Sequence, residues 1–172
     1  MTKNNQGDGT MYHQGTLEAL KRAEAEYVFS SFGLEDAHRL GELLRSKAAG
    51  ELKPFAVRVV LDDLVVYQSF LPGTTENNKN WMDRKCATVE KSHKSSLRVL
   101  VERELEGAKE VWQTNEHHYA FCGGGFPIVV AGQFRGVATI SGLPHLDDHR
   151  VLCQALAEFL GKPYIPTPVD EE

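Results

Sequence analysis

The chain has 172 residues, 41% of them apolar and 25% charged, with a net charge of −5. That length supports one domain with a full core and needs no disulfide or metal staples. The acidic balance and the scattered Lys and Arg residues exclude a basic nucleic-acid footprint and a cationic membrane surface, and no apolar run is long enough for a bilayer-spanning helix.

Residues 1–15, "MTKNNQGDGTMYHQG", are polar and rich in Gly and Asn, and read as a disordered or loosely attached arm without a signal-peptide core. A domain over 16–162 follows, and 163–172, Pro-broken and acidic, reads as a tail. Cys86, Cys122 and Cys153 are widely spaced and odd in number. They are no disulfide framework, and reduced thiols place the protein in the cytoplasm.

The first helix is expected from Thr16, a candidate N-cap, with Leu17, Leu20, Glu24 and Tyr27 on one face. Its end, "EYVFSSF", gains β-formers and can pass into a short extended piece. Ala37, Leu40, Leu44 and Ala48 make the apolar stripe of a second helix that stops at Gly50. Phe55–Leu61 and Leu64–Phe70 flank Asp62-Asp63 as a hairpin.

Asn77 or Asn78 is the expected cap of a third helix, and Ser95-Ser96 starts a fourth after a break near His93. A second hairpin spans Phe126–Val130 and Arg135–Ser141, and a last helix begins at Asp147 or Asp148. Helix, hairpin, helices, hairpin, helix is an α+β order. It fits a three-layer sandwich of antiparallel sheet and flanking helices, not a doubly wound nucleotide fold.

Few residues carry chemistry. The run "CGGGF" precedes a strand and lacks the Gly-Lys-Ser/Thr of a phosphate loop. Its glycines serve either a close backbone approach at a strand entry or a ligand-lining loop. His145, His149 and Cys153 have metal-ligand spacing on a helix. Pro144 ahead of His145, with Asp147 as the better cap, removes the first member, and no metal site is assigned. His117-His118 stand in a polar loop and carry no assigned role. No nucleophile elbow is present, and no catalytic residue is assigned.

Trp81 and Lys85, four apart, can form a pocket wall bearing a cation for a carboxylate. The return of the second hairpin brings Ser141 near the glycine entry, and His149 one helical turn further on. The expected site is a cleft lined by Gly123, Gly124, Gly125, Phe126 and His149, closed at its side by Trp81 and Lys85.

Three stretches together resemble the haem-degrading domain family of GlcG- and HbpS-like proteins, in its cytosolic single-domain branch. They are "PGTTENNKNWMDRKCATV", "YAFCGGGFPIVVAG" and "GVATISGLPHLDDHRVLCQALAEFLG", and the similarity runs from about Glu24 to Gly161. The motif falls on Trp81, Arg84, Lys85, Gly124, Gly125, Phe126, Pro127, Ser141, Gly142, Pro144, Asp148 and His149. The resemblance implies a profilin-like α/β/α sandwich with a five-stranded antiparallel sheet, and assembly as a homodimer or larger ring. It also implies a small ligand, with haem or another tetrapyrrole as the candidate and with or without slow haem degradation. For an iron ligand, His149, His93, Cys122 and Tyr119 are the eligible side chains. The alternative is a homo-oligomeric assembly protein without cofactor, in which Trp81 and the hairpins are interface.

Overall fold

The computed structural model describes residues 10–171. The elements run β1 Thr10–Met11, α1 Gln14–Glu26, α2 Leu34–Gly50, β2 Ala56–Leu61, β3 Leu64–Phe70, α3 Glu76–Ser92 and α4 Ser96–Glu106. A 3₁₀ turn at Val111–Thr114 leads to β4 Gly125–Val130, β5 Gln133–Ser141, α5 His145–Leu160 and β6 Asp170–Glu171.

The sheet has the order β3-β2-β5-β4, with every pair antiparallel. Helices α2 and α5 cover one face and α3 the other, while α1 docks on α4. All six residues of β2 are therefore buried, as in any strand sheathed on both faces. Both hairpins close on two residues of positive φ, Asp62 and Asp63 in the first, Ala131 and Gly132 in the second. That is the turn handedness which matches strand twist.

The sheet has four strands, which corrects the five-stranded expectation. After α1 the chain runs beside β4, but only Phe29 pairs, in a single parallel bridge to Val130. Its N–H donates to Val129 O at 2.9 Å, and Ala131 N–H donates to Phe29 O at 2.8 Å. Phe29 and Phe32 then turn into the core, with rings 4.4 Å apart and both near Phe159. Burying two aromatics outweighs extending a ladder, and the chain leaves the sheet edge at once to enter α2.

Several boundaries move by local capping. His13 caps α1, accepting from Gly15 N–H at 3.1 Å, and Thr16 returns the bond to His13 N–H at 3.2 Å. Thr75 caps α3, with Asn78 at the third position completing a capping box. His93 ends α3 in the left-handed region at φ 59°, stacked on Phe134 at 4.1 Å. Ser95 opens α4. Helix α5 starts at His145, two residues ahead of the expected carboxylates, because Pro144 stands at its N-cap with Asp147 and Asp148 in the first turn.

Residues 163–171 run back over the domain. Tyr27 OH donates to Pro163 O at 3.1 Å and accepts from Ile165 N–H at 2.8 Å, and Thr16 Oγ1 donates to Pro168 O at 2.5 Å. Strand β6 then pairs with β1. Of the arm expected over residues 1–15, residues 1–9 lie outside the described residues.

Helix α2 reaches the sheet through Gly41, where a Cβ would enter the Tyr67 ring, 2.7 Å from its Cβ. Gly41→Ala should cost about 2 kcal/mol despite the better helix propensity of alanine. In a Tyr67→Ala background the same change should instead stabilise by about 1 kcal/mol. Equilibrium urea unfolding of the four proteins measures both; equal effects in the two backgrounds would reject the contact as the cause.

Candidate functional site

The sequence-derived residues converge on one end of the sheet, where β5 leaves and β4 enters. Residues 120–125 thread between α3 and the start of α5. Ala120 N–H donates to Arg84 O at 3.2 Å and Thr88 Oγ1 donates to Ala120 O at 2.8 Å. Further on, Gly123 N–H donates to His145 Nδ1 at 3.1 Å and Gly125 N–H to Ser96 Oγ at 2.9 Å.

Each glycine faces a different neighbour. A Cβ on Gly123 would meet the backbone of His145 and stand 2.9 Å from His149 Cβ. One on Gly124 would stand 2.5 Å from Lys85 Nζ and 2.6 Å from Ile140 O, and φ there is +121°. One on Gly125 would press on Val89 and Ser96 at 2.9 and 3.1 Å. The bare backbone admits the first turn of α5, a lysine ammonium and the α3–α4 pair simultaneously.

Lys85 turns inward from α3 and is 2% exposed. Its ammonium donates to Asp148 Oδ2 at 3.0 Å and to Ile140 O at 2.9 Å, while Asp148 Oδ1 accepts from Leu143 N–H at 2.9 Å. Burial pushes the Asp148 carboxyl above the ordinary range, opposed by the Lys85 charge and the Leu143 N–H. Phe126 is buried with its ring 6.4 Å from that of His149. His149 is 2% exposed, and burial lowers its pKa to about 4, so the ring is neutral near pH 7. Its Nε2 lies 3.4 Å from Cys153 Sγ. His145 is engaged by Gly123 and, at 3.4 Å, by Tyr12 OH. Among the described residues no group of three or more His, Cys, Asp or Glu could hold a metal ion.

Trp81, one turn before Lys85, stays at the surface, 37% exposed. It lines a groove of about 80 Å³ with Arg84, Arg103, Tyr119, Phe121 and Cys122. Arg84 lies over the Trp81 ring at 4.5 Å, and Arg103 over Phe121 at 4.2 Å. Arg84 also donates to Glu116 O, and the Glu116 carboxylate pairs with Arg103 at 3.2 Å. Cys122 is half-buried; burial raises its thiol pKa, opposed by the Lys85 charge.

Trp81 and Lys85, one turn apart on α3, thus meet different surroundings, the groove for Trp81 and the buried Asp148 carboxylate for Lys85. The Trp81–Arg84 stack was open to a spacing argument, being an i, i+3 pair on a helix. Arg103 and Glu116 left no such signal, because they come from α4 and a loop that only the fold places there.

The buried pair yields a test. Lys85→Met should leave Asp148 uncompensated and cost about 3 kcal/mol or more, whereas Lys85→Met with Asp148→Leu should recover most of it. Thermal and urea unfolding decide this; a double variant as unstable as the single would show that the pair is not what the stability reports.

Set beside known proteins, the chain matches the haem degrading protein HbpS-like family over residues 32–157. It is 32% identical over 160 residues to a UPF0303 protein of Brucella anthropi, covering 91% of this chain and 93% of that one. A UPF0303 protein of Sinorhizobium medicae is 37% identical over 150 residues, covering 84% and 90%. Among solved structures, the Ybr137w protein superposes with a TM-score of 0.76 at 26% identity over 84% of this chain and 87% of that one. The PduOC–haem complex does so at 0.65 and 17%, over 74% and 94%, a likeness of fold. On the family match and on relatives of this identity and extent, the chain belongs to the HbpS-like family of haem-degrading proteins.

Proposed function

We propose that this protein binds a small, flat, dicarboxylate ligand of the tetrapyrrole class, with haem as the candidate, in the Trp81–Arg84–Arg103 groove. The observation that carries the reading is two guanidinium groups, each stacked on an aromatic ring, flanking a cysteine thiol. Stacked guanidiniums keep their donors in plane for carboxylates, and Trp81 and Tyr119 offer aromatic surface to a conjugated ring. Cys122 suits iron as a soft ligand once its proton is displaced. A groove of about 80 Å³ takes one edge of such a ligand.

Bound haem would supply iron-centred redox chemistry; the chain's own residues bind and orient it. Arg84 and Arg103 hold carboxylates, Trp81 and Tyr119 hold the ring, and Glu116 must yield Arg103 to the ligand. Gly123–Phe126, Lys85 and His149 act in this reading as the support that sets Cys122 at the groove. The family description, which names haem, supports the same choice. Three free cysteines fit a reducing cytoplasm.

Haem titration of untagged protein, followed at the Soret band, should give a saturable, stoichiometric shift. Trp81→Ala and Arg103→Ala should each weaken binding about tenfold, and Glu116→Gln should tighten it by removing the competing carboxylate. Cys122→Ser should move the Soret maximum. Absence of any saturable shift with the unaltered protein would end the proposal.

A second reading, homo-oligomeric assembly, is favoured by the edge of the sheet. Among the described residues strand β3 pairs on one side only, and it exposes Leu64, Val65 and Phe70. Such an edge invites cover by a second copy. Light scattering at about micromolar concentration should give a dimeric or larger mass, lowered by Leu64→Lys; affinities of that order are usual for specific interfaces. A monomeric mass for the unaltered protein would exclude this reading. Dissociation by Trp81→Ala with haem binding intact would put Trp81 in the interface.

A further inference from the structure

Helix α1 docks chiefly on α4, where Leu17 and Leu20 share a buried cluster with Leu97, Leu100 and Val101. At the last turn of α1 the contact changes character. The Glu24 side chain, only 10% exposed, accepts from Arg98 Nη1 at 3.0 Å and from Ser95 Oγ at 3.3 Å. Ser95 is the N-cap of α4, and its Oγ also accepts from Arg98 N–H at 3.2 Å. The end of one helix is thus bonded to the start of the other.

Arg98 is shared. Its Nε donates to Glu102 at 2.9 Å, and Lys94 reaches the other Glu102 oxygen at 2.8 Å. Glu102 therefore holds two cations, while Glu24 has part of one. From α5, Cys153 stands close enough to feel the Glu24 charge, and burial holds it as an uncharged thiol. Lys21 of α1 lines, with Lys94 and Glu102, an open groove of about 320 Å³ that brings solvent to the outer end of the network.

A carboxylate withdrawn from water keeps its charge only when its partners replace the lost hydration. For Glu24, burial prevails over the Arg98 charge and the Arg98 and Ser95 bonds, and pushes the carboxyl up to about 7. Against its own burial, the Lys94 and Arg98 bonds hold Glu102 below the ordinary range. The protonated Glu24 has a place in the joint. Its O–H can donate to Ser95 Oγ while its carbonyl oxygen still accepts from Arg98.

We infer that the α1–α4 joint is a proton-operated fastening, in which a proton on Glu24 holds the end of α1 on the start of α4 and its loss loosens that end. The sign follows from linkage. Undocked, Glu24 returns to the ordinary value of 4.5, so the docked helix binds the proton more tightly. The contribution to docking is complete below that value and is lost as the pH rises through about 7.

Carbon NMR of the side-chain carboxyls should show Glu24 titrating near neutral pH and Glu102 well below it. Glu102→Gln leaves Arg98 to Glu24 and should lower the Glu24 titration by about one pH unit or more. Hydrogen exchange, corrected for its intrinsic pH dependence, should show α1 opening about tenfold more often at about pH 7.5 than at about pH 6. Helix α2 should show no such rise, and Glu24→Gln should remove it from α1. Should Glu24→Gln fail to fold, the titrations of the unaltered protein and of Glu102→Gln decide. Titration of Glu24 within or below the ordinary carboxyl range would overturn the inference. So would a rise in α1 opening that is absent, that α2 shares, or that persists in Glu24→Gln. None of these measurements involves haem or the Trp81 groove.

Discussion

One ion pair joins three elements at the end of the sheet where the site lies. Lys85 comes from α3, Asp148 from α5, and the Ile140 carbonyl between them from β5. Helices from opposite faces of the sheet are thereby joined around its end. Neither charge reaches water, so each depends on the other and on the Ile140 and Leu143 backbone to offset its desolvation. The arrangement has one geometry, because an ammonium moved from these acceptors would be buried unpaired.

The glycine run is the space this pair requires. Gly124 leaves room for the ammonium, Gly123 for the start of α5, and Gly125 for the α3–α4 pair. Each of the three glycines has its own close neighbours, which is why three consecutive residues lack side chains. Cys122, immediately before them, is carried to the surface by the same thread and stands half-buried at the groove. The interior thus positions the exterior: a buried electrostatic joint and a stretch of bare backbone set the one thiol that faces the aromatic and cationic wall.

The two faces of α3 divide the labour. Its inner face holds Lys85, Met82 and Val89, while Trp81 and Arg84 meet the groove. On the far side of the glycine thread, α5 holds a neutral, buried imidazole, His149.

The sequence alone determined the elements that depend on neighbours in the chain. The apolar stripe of α2, the two-residue turn of the first hairpin, the presence of the second hairpin, the Ser95 start of α4 and the break at His93 follow from local periodicity, turn handedness and capping; the tight turn at Ala131-Gly132, which starts β5 two residues ahead of the expected Arg135, does not. It also brought out the residues that meet at the sheet end, through their motif. It could not set the number of strands, because one residue, Phe29, pairs at the edge and the decision to bury Phe29 and Phe32 against Phe159 is tertiary. Nor could it tell which way each motif residue faces. Lys85 points inward because Asp148, 63 residues away, supplies its counter-charge there. Arg103 reaches the groove only because α4 packs beside the 116–122 loop. Charge compensation and close packing between distant segments have no local period, and only the folded chain settles them.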